Sequence, residues 1–404
     1  MVFFLISLLF LGISLYIKKN INKDINYYML LSWTVILFVD FVFFLITKET
    51  NMNFKGMLIC CMLSILTVIF SKKNKGYKIE KIYVNSYLFF FICFFFLIAS
   101  IVMIKKYINL FVMFNGNGTD ILLNKELLLE SGFVSYSFML GISISLLIPY
   151  ININGFLKNI ITIIVLLAYM IYPKRSYFII TIFILILNKY YSNYEKIHNE
   201  VRKVNKKNIL LIVIIGMIGF HYTQVIFNKS IYNNEYMNTV GKYTEIQTIF
   251  LDTAIYTNGN ISNSDKYIDY SKENTEKPIL NNTLHAFYSF TKNFGFPKKS
   301  IDIDNVFIKT GDFSTNTINM FAYYYADLNF FFMIFSQCFI IGIFNIFSNR
   351  KSTFTQIMYP LILYIAVMSF RENNFMFIYF YITCFVVYIS SIKFKLTNIK
   401  TYRR

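Results

Sequence analysis

Long apolar runs separated by short polar stretches dominate the chain. They lie near residues 2 to 17, 28 to 47, 56 to 71, 86 to 104, 134 to 151, 156 to 173, 177 to 191, 209 to 227, 328 to 347, 355 to 370 and 374 to 392. A helix crossing a bilayer needs roughly 20 mostly apolar residues. None of the runs shows the period-two alternation of a membrane β-barrel, so helices are the remaining way to satisfy the backbone in hydrocarbon. The pattern predicts an all-α polytopic membrane protein with about 11 transmembrane helices, in a range of roughly 10 to 12. The first run has no basic residue before it and no small-residue cleavage site after it; Lys18 and Lys19 follow, as expected of a retained helix.

The polar positions divide the chain into transmembrane helices over 1–227, one large polar segment over 228–327, further transmembrane helices over 328–392, and a basic tail over 393–404. Within the large segment, Leu284, Phe287, Tyr288 and Thr291 share one helical face and His285, Ser289 and Lys292 another. That spacing predicts an amphipathic helix near the bilayer surface, ended by Gly295 and Pro297. A second helix is expected over Tyr243 to Ile255, and a polar flexible loop over Asn258 to Asn282. The stretch from Thr310 to Thr317 reads as a turn and helix cap leading into the next span.

Composition agrees with the pattern. Apolar residues make up 56% of the 404, charged residues only 15%, and the mean hydropathy is +0.52, values foreign to a soluble globular domain. The net charge of +18 would suggest nucleic acid in a soluble chain. Here the basic residues gather instead in alternate loops: Lys18, Lys19 and Lys23; Lys72 to Lys81; Lys158; Lys189 to Lys207; Arg350 and Lys351; and the tail from Lys393. By the positive-inside rule these face the cytoplasm, which puts the N-terminus and the large segment outside and the C-terminus inside. No nucleic-acid partner is expected. The five cysteines, Cys60, Cys61, Cys93, Cys338 and Cys384, all sit in apolar runs and read as packing residues, and no Cys/His spacing suits a metal.

Only six arginines occur, and two of them, Arg175 and Arg371, fall at the outer ends of span hairpins, against the charge rule. Arg175 sits in Pro173-Lys174-Arg175-Ser176 and Arg371 in Ser369-Phe370-Arg371-Glu372-Asn373-Asn374. A guanidinium offers a planar fork of donors for phosphate oxygens, so the pair suits a lipid-linked phosphate; the plainer alternative is two snorkelling anchors, Arg371 paired with Glu372. His221, one turn from Gln224, and His285 are candidates for a base or hydrogen-bond donor, whereas His198 lies among charges in a cytoplasmic loop. Asp40 interrupts the second run, a functional candidate wherever a carboxylate enters a membrane.

The many-span layout, the late outer segment, the Pro-Lys-Arg-Ser turn and the stretch GDFSTNTINMFAYYYAD from Gly311 to Asp327 together resemble bacterial O-antigen and capsular repeat-unit polymerases. Thr315, Asn316, Tyr323, Tyr324, Tyr325 and Asp327 follow the family's pattern, while Leu328 and Asn329 replace its Phe-Gly. The resemblance implies a membrane-embedded, metal-independent glycosyltransferase without cofactor. Its partners would be polyprenyl-diphosphate-linked oligosaccharides and membrane lipids, alongside a chain-length regulator and a flippase. Arg175 and Arg371 would stabilise the leaving diphosphate and His285 would activate the acceptor hydroxyl. Lys174, Asn316, Asp312, Asp327, His221 and Tyr288 would line the substrate, with Phe287 and Tyr288 stacking on sugars. An O-antigen ligase-like transferase shares this chemistry, and a polysaccharide flippase is the rival of another class, although no internal repeat and only one charged span favour it.

Overall fold

The computed structural model describes residues 2–20, 25–47, 54–71, 82, 84–113, 132–171, 175–196, 244, 246–247, 249–250, 264–273, 280–291, 308–310, 313–315, 318–350 and 352–392. Apolar helices form over the predicted runs: α1 (Val2–Asn20), α2 (Ile25–Thr47), α3 (Phe54–Phe70), α4 (Ser86–Met113), α5 (Gly132–Leu147), α6 (Gly155–Ile171) and α7 (Arg175–Lys196). The later part contributes α8 (Ser264–Glu273), α9 (His285–Thr291), a hairpin of β1 (Ile308–Thr310) and β2 (Phe313–Thr315), then α10 (Met320–Asp327), α11 (Phe330–Ser348), α12 (Thr353–Val367) and α13 (Ile378–Ser391). Five helices, α1, α2, α4, α11 and α5 with the 3-10 turn that follows it, are long and apolar enough to cross a membrane; α3, α6, α7, α12 and α13 are shorter apolar helices. The run at 209 to 227, with His221, lies outside the described residues.

The bundle is apolar on the outside as well as the inside, which is consistent with a membrane-embedded protein. On α4, Phe90, Phe91, Phe94, Ile98 and Ile101 point outward, while Ser100 turns in and bonds the Phe96 carbonyl at 2.7 Å. Lipid is as apolar as a leucine side chain, so such helices associate through close packing and buried polar contacts. Where α4, α5 and α6 meet, Phe96 stacks on Phe138, Tyr169 meets both rings edge to face, and Phe96 and Tyr169 close on Gly141, where a Cβ would lie 2.6 Å from the Tyr169 hydroxyl. That hydroxyl donates to the Phe138 carbonyl at 2.9 Å, so the crowding is fixed by a bond. The hub is α12, buried on every side from Thr355 to Ala366 and packed against α2, α5, α7, α11 and α13. A helix that is apolar all round has no place except the interior.

Backbone-to-side-chain bonds define the two ends of the bundle. At one end the Ile25 amide donates to Ser348 Oγ, Asn26 bonds Asn345, Asn345 bonds the Phe70 carbonyl, and the Asn85 amide donates to the Ser390 carbonyl. At the other end α8 docks on α3: Asp265 accepts from the Gly56 amide at 3.0 Å and the Lys55 amide at 3.4 Å, and Asp269 pairs with the Lys55 ammonium. Asp265 thereby caps α3 from a distant part of the chain, satisfying two of the amides that every helix start leaves open. The second end is called the loop end below.

Two local expectations change. The polar stretch Asn258 to Asn282 contains a helix, α8, because Tyr267, Ile268 and Ser271 form one buried stripe against α10 and α3. The stretch from Thr310 to Thr317 forms strands where described, pairing Ile308 with Thr315, and the helix cap lies further on at Asn319, whose side chain accepts from the amides of Phe321 and Ala322. The helix so capped, α10, is separate and short; Asn329 caps the following α11. The expected helix at Tyr243 to Ile255 is described only at 244, 246–247 and 249–250, of which 244 is not helical and the other four are.

Candidate functional site

At the loop end the chain folds two segments against the bundle; Arg371 lies on one, and His285, Tyr288 and Asp327 lie on the helices that adjoin the other. The first is the strap from Met368 to Phe377 that joins α12 to α13. It begins as a turn in which the Arg371 and Glu372 amides donate to the Met368 carbonyl. Ser369 pins this turn in the interior: its hydroxyl accepts from Trp33 Nε1 at 2.9 Å and donates to the Ala366 carbonyl at 2.8 Å, while its own carbonyl accepts from the Met320 amide at 2.8 Å. One buried serine therefore joins α2, α10 and the strap.

Beyond Arg371 the strap is held by amides and tyrosines. Asn373 Oδ1 accepts from the Phe375 amide at 3.2 Å and from the Tyr324 hydroxyl at 3.4 Å. Its Nδ2 has no partner among the described residues although Asn373 is 1% exposed. Asn374 donates to Glu372 Oε1 at 3.2 Å and accepts from the Tyr379 hydroxyl. Tyr379 in turn meets the ring of Tyr177 at 5.8 Å, edge to face. Tyr177 lies in the first turn of α7, the turn that Arg175 opens. Tyr379, the second residue of α13, thus links the strap bearing Arg371 to the helix start bearing Arg175, although the two lie far apart in sequence. Tyr364 and Tyr379 both lie within electrostatic reach of Glu372, and Tyr364 within reach of Arg371.

The second segment is the turn 280–284 that leads into α9. Leu280 adopts a left-handed backbone with φ of 56°, reversing the chain. Asp327, at the end of α10, then receives the turn: its carboxylate accepts from the Asn282 amide at 2.9 Å, the Thr283 amide at 2.7 Å and Thr283 Oγ1 at 2.5 Å. Burial pushes the Asp327 carboxyl above its ordinary range, and the bonds from Thr283 and Asn282 draw it partly back. Asn282 also donates to the Tyr323 carbonyl and accepts from Tyr267, whose hydroxyl is pushed well up, first by burial and then by Tyr323 and Asp327. Asn319 completes the clasp by donating to Ser264 at 2.6 Å. His285 follows two residues after Thr283 as the first residue of α9, which packs on α13 and places Phe290 6.3 Å from Tyr136 of α5.

Among the predicted site residues, Arg371, His285, Asp327 and Tyr288 are therefore described and belong to one end of the bundle. Arg175 is the first residue of α7 instead of part of the preceding turn. Lys174, His221, Asp312 and Asn316 lie outside the described residues. The apolar face of α9 points outward, with Phe287 59% and Leu284 38% exposed, while Ala286 packs inward. No group of three or more His, Cys, Asp or Glu converges as a metal site among the described residues. Sequence reasoning missed Asn373, Asn374, Tyr177, Tyr379, Ser369 and Asn282. The Asn-Asn pair after Arg-Glu was visible as a polar break, but nothing local to it announced a tyrosine ring from α7 or α10. In comparisons with known proteins, no family model, no curated protein and no solved structure matches the chain.

Proposed function

We propose that this chain is a membrane-embedded glycosyltransferase that joins polyprenyl-diphosphate-linked oligosaccharide repeat units into a surface polysaccharide. It would act at the outer face of a bacterial cytoplasmic membrane, with about eleven spans, the N-terminus outside and the C-terminus inside. The observation that carries the reading is Tyr379 of α13, which bonds the Arg371 strap at Asn374 and meets Tyr177 in the first turn of α7, the turn that Arg175 opens. Two arginines that break the charge rule thus come from segments that meet at one end of the bundle.

In this reading the acceptor sugar hydroxyl attacks the anomeric carbon of the donor, the bond to the diphosphate oxygen breaks, and polyprenyl diphosphate leaves. Negative charge grows on that oxygen, and guanidinium groups already in place lower the barrier more than they strengthen ground-state binding. His285 takes the proton released by the acceptor hydroxyl. Asp327 acts through the turn: by binding the amides of Asn282 and Thr283 it positions the start of α9 and is a positioning residue.

Strains carrying Arg175→Ala or Arg371→Ala should lose long-chain polysaccharide while single repeat units persist, with the protein at normal level in the membrane. Arg371→Lys should restore little, because a point charge does not replace a bidentate fork. A normal chain-length ladder from both alanine variants refutes the clamp. A deletion strain that makes free, unattached polymer would instead identify a ligase, and one that accumulates cytoplasmic lipid-linked units a flippase.

A further inference from the structure

Far from the strap, α2 carries one charged residue, Asp40, at 0% exposure, and neither of its carboxylate oxygens has a hydrogen-bond partner among the described residues. Its charge reaches the Cys60 thiol of α3. The same turn of α3 receives a second polar side chain from α11. Gln337, also 0% exposed, donates Nε2 to the Ile59 carbonyl at 3.2 Å, which leaves its Oε1 without a partner. α11, which carries Gln337, packs against both α2 and α3, and none of the three acceptor oxygens of Asp40 and Gln337 meets a donor among the described residues.

The neighbouring helices offer no counter-charge. On α1 the ionisable groups are Tyr16, Lys18 and Lys19, all near the end where α2 begins. On α3 they are Cys60, Cys61 and Lys55, the last paired with Asp269 at the loop end. α11 contributes Cys338, and α12 contributes Tyr359 and Tyr364. An ionised carboxylate buried alone costs several kcal/mol, and a set of unpaired oxygens with a single negative charge calls for a single positive one. A divalent ion would demand more carboxylates and a larger oxygen shell than this turn provides.

We propose that Asp40 and Gln337 form a buried intramembrane binding site for one monovalent cation, either a proton or a sodium ion. The site is independent of the glycan chemistry at the loop end, and its test reads binding without activity. The purified full-length chain in lipid nanodiscs would be treated with a hydrophobic carbodiimide, which modifies protonated carboxyl groups, in sodium chloride and in choline chloride of equal ionic strength across a pH series. Modification at Asp40 is read by mass spectrometry and melting temperature is followed in parallel. A proton site gives labelling that falls about tenfold per pH unit above its midpoint and ignores sodium. A sodium site gives labelling that sodium suppresses, together with a sodium-dependent rise in melting temperature. Asp40→Asn should abolish both responses. Wild-type labelling and melting that change with neither pH nor sodium overturn the proposal, and so does an Asp40→Asn protein that responds as the wild type does. The wild-type series decides by itself if that variant does not fold.

Discussion

Ser369→Ala removes the acceptor that holds the Trp33 indole. Trp33 is fully buried, stacked on Phe10 and tilted against Phe321 at 6.1 Å from each ring, and among the described residues its Nε1 donates to Ser369 Oγ. A buried donor left without an acceptor costs about 1–3 kcal/mol, more than the net worth of the bond, because water cannot reach it. The second bond of the hydroxyl, to the Ala366 carbonyl, adds about 0.5–1.5 kcal/mol. Trp33→Phe removes the donor and leaves a gap, so that variant is destabilised on its own account. In the Trp33→Phe background, however, Ser369→Ala no longer strands an indole N–H. The serine substitution should therefore cost about 1–3 kcal/mol less there than in the wild type, a coupling that a double-mutant cycle isolates.

The assay is thermal unfolding of the four proteins in one detergent at one scan rate, since membrane proteins of this size unfold irreversibly and only matched scans compare. A coupling of 1 kcal/mol corresponds to roughly 2–4 °C for chains of a few hundred residues. Equal costs of Ser369→Ala in the two backgrounds would refute the pinning role given to this serine. With the pin gone, the strap that carries Arg371 loses its tie to α2, so under the proposed function polymer length should fall in the Ser369→Ala strain even where protein abundance is kept.

Gly141→Ala should be destabilising by about 1–3 kcal/mol through overpacking against Phe96 and Tyr169, whereas Gly342→Ala, which meets nothing within 4 Å, should melt as the wild type. Asp327 sets a pH dependence with a definite sign. Its folded carboxyl lies above the ordinary 3.8, so the folded state binds the proton more tightly, and docking of residues 280–291 is strongest in acid and weakens as pH rises through the folded value. Hydrogen exchange of that segment should show this slope, and Asp327→Asn should flatten it; protection that grows with pH in the wild type would refute the assignment. Asp265→Ala should uncap α3 and release α8, at a cost of about 1 kcal/mol, seen as faster exchange at Gly56 and along Ser264–Glu273. Unchanged exchange at both places would show that α8 docks by its tyrosine face alone.

Among the described residues, hydropathy by itself determined the helical class and the positions of the ten apolar helices, because a stretch of some twenty apolar residues has a single way to satisfy its backbone in lipid. The helix at His285 was equally legible from its spacing, and so was the start of α11 near Leu328. Charge placement singled out Arg175 and Arg371 by their rarity at that end of the hairpins. None of this revealed α8, whose buried stripe is only Tyr267, Ile268 and Ser271 in a polar run, and whose stability comes from α10 and α3. Nor could it say that Asp327 binds amides of a turn more than forty residues earlier, or that Tyr177 and Tyr379 bring two arginine-bearing segments together. Periodicity is a property of neighbours along the chain, whereas the pairing of Trp33 with Ser369 and of Gln337 with the Ile59 carbonyl depends on which helices pack side by side. In lipid that choice is made by shape and by scarce polar contacts distributed over the whole bundle, and only the tertiary structure contains them.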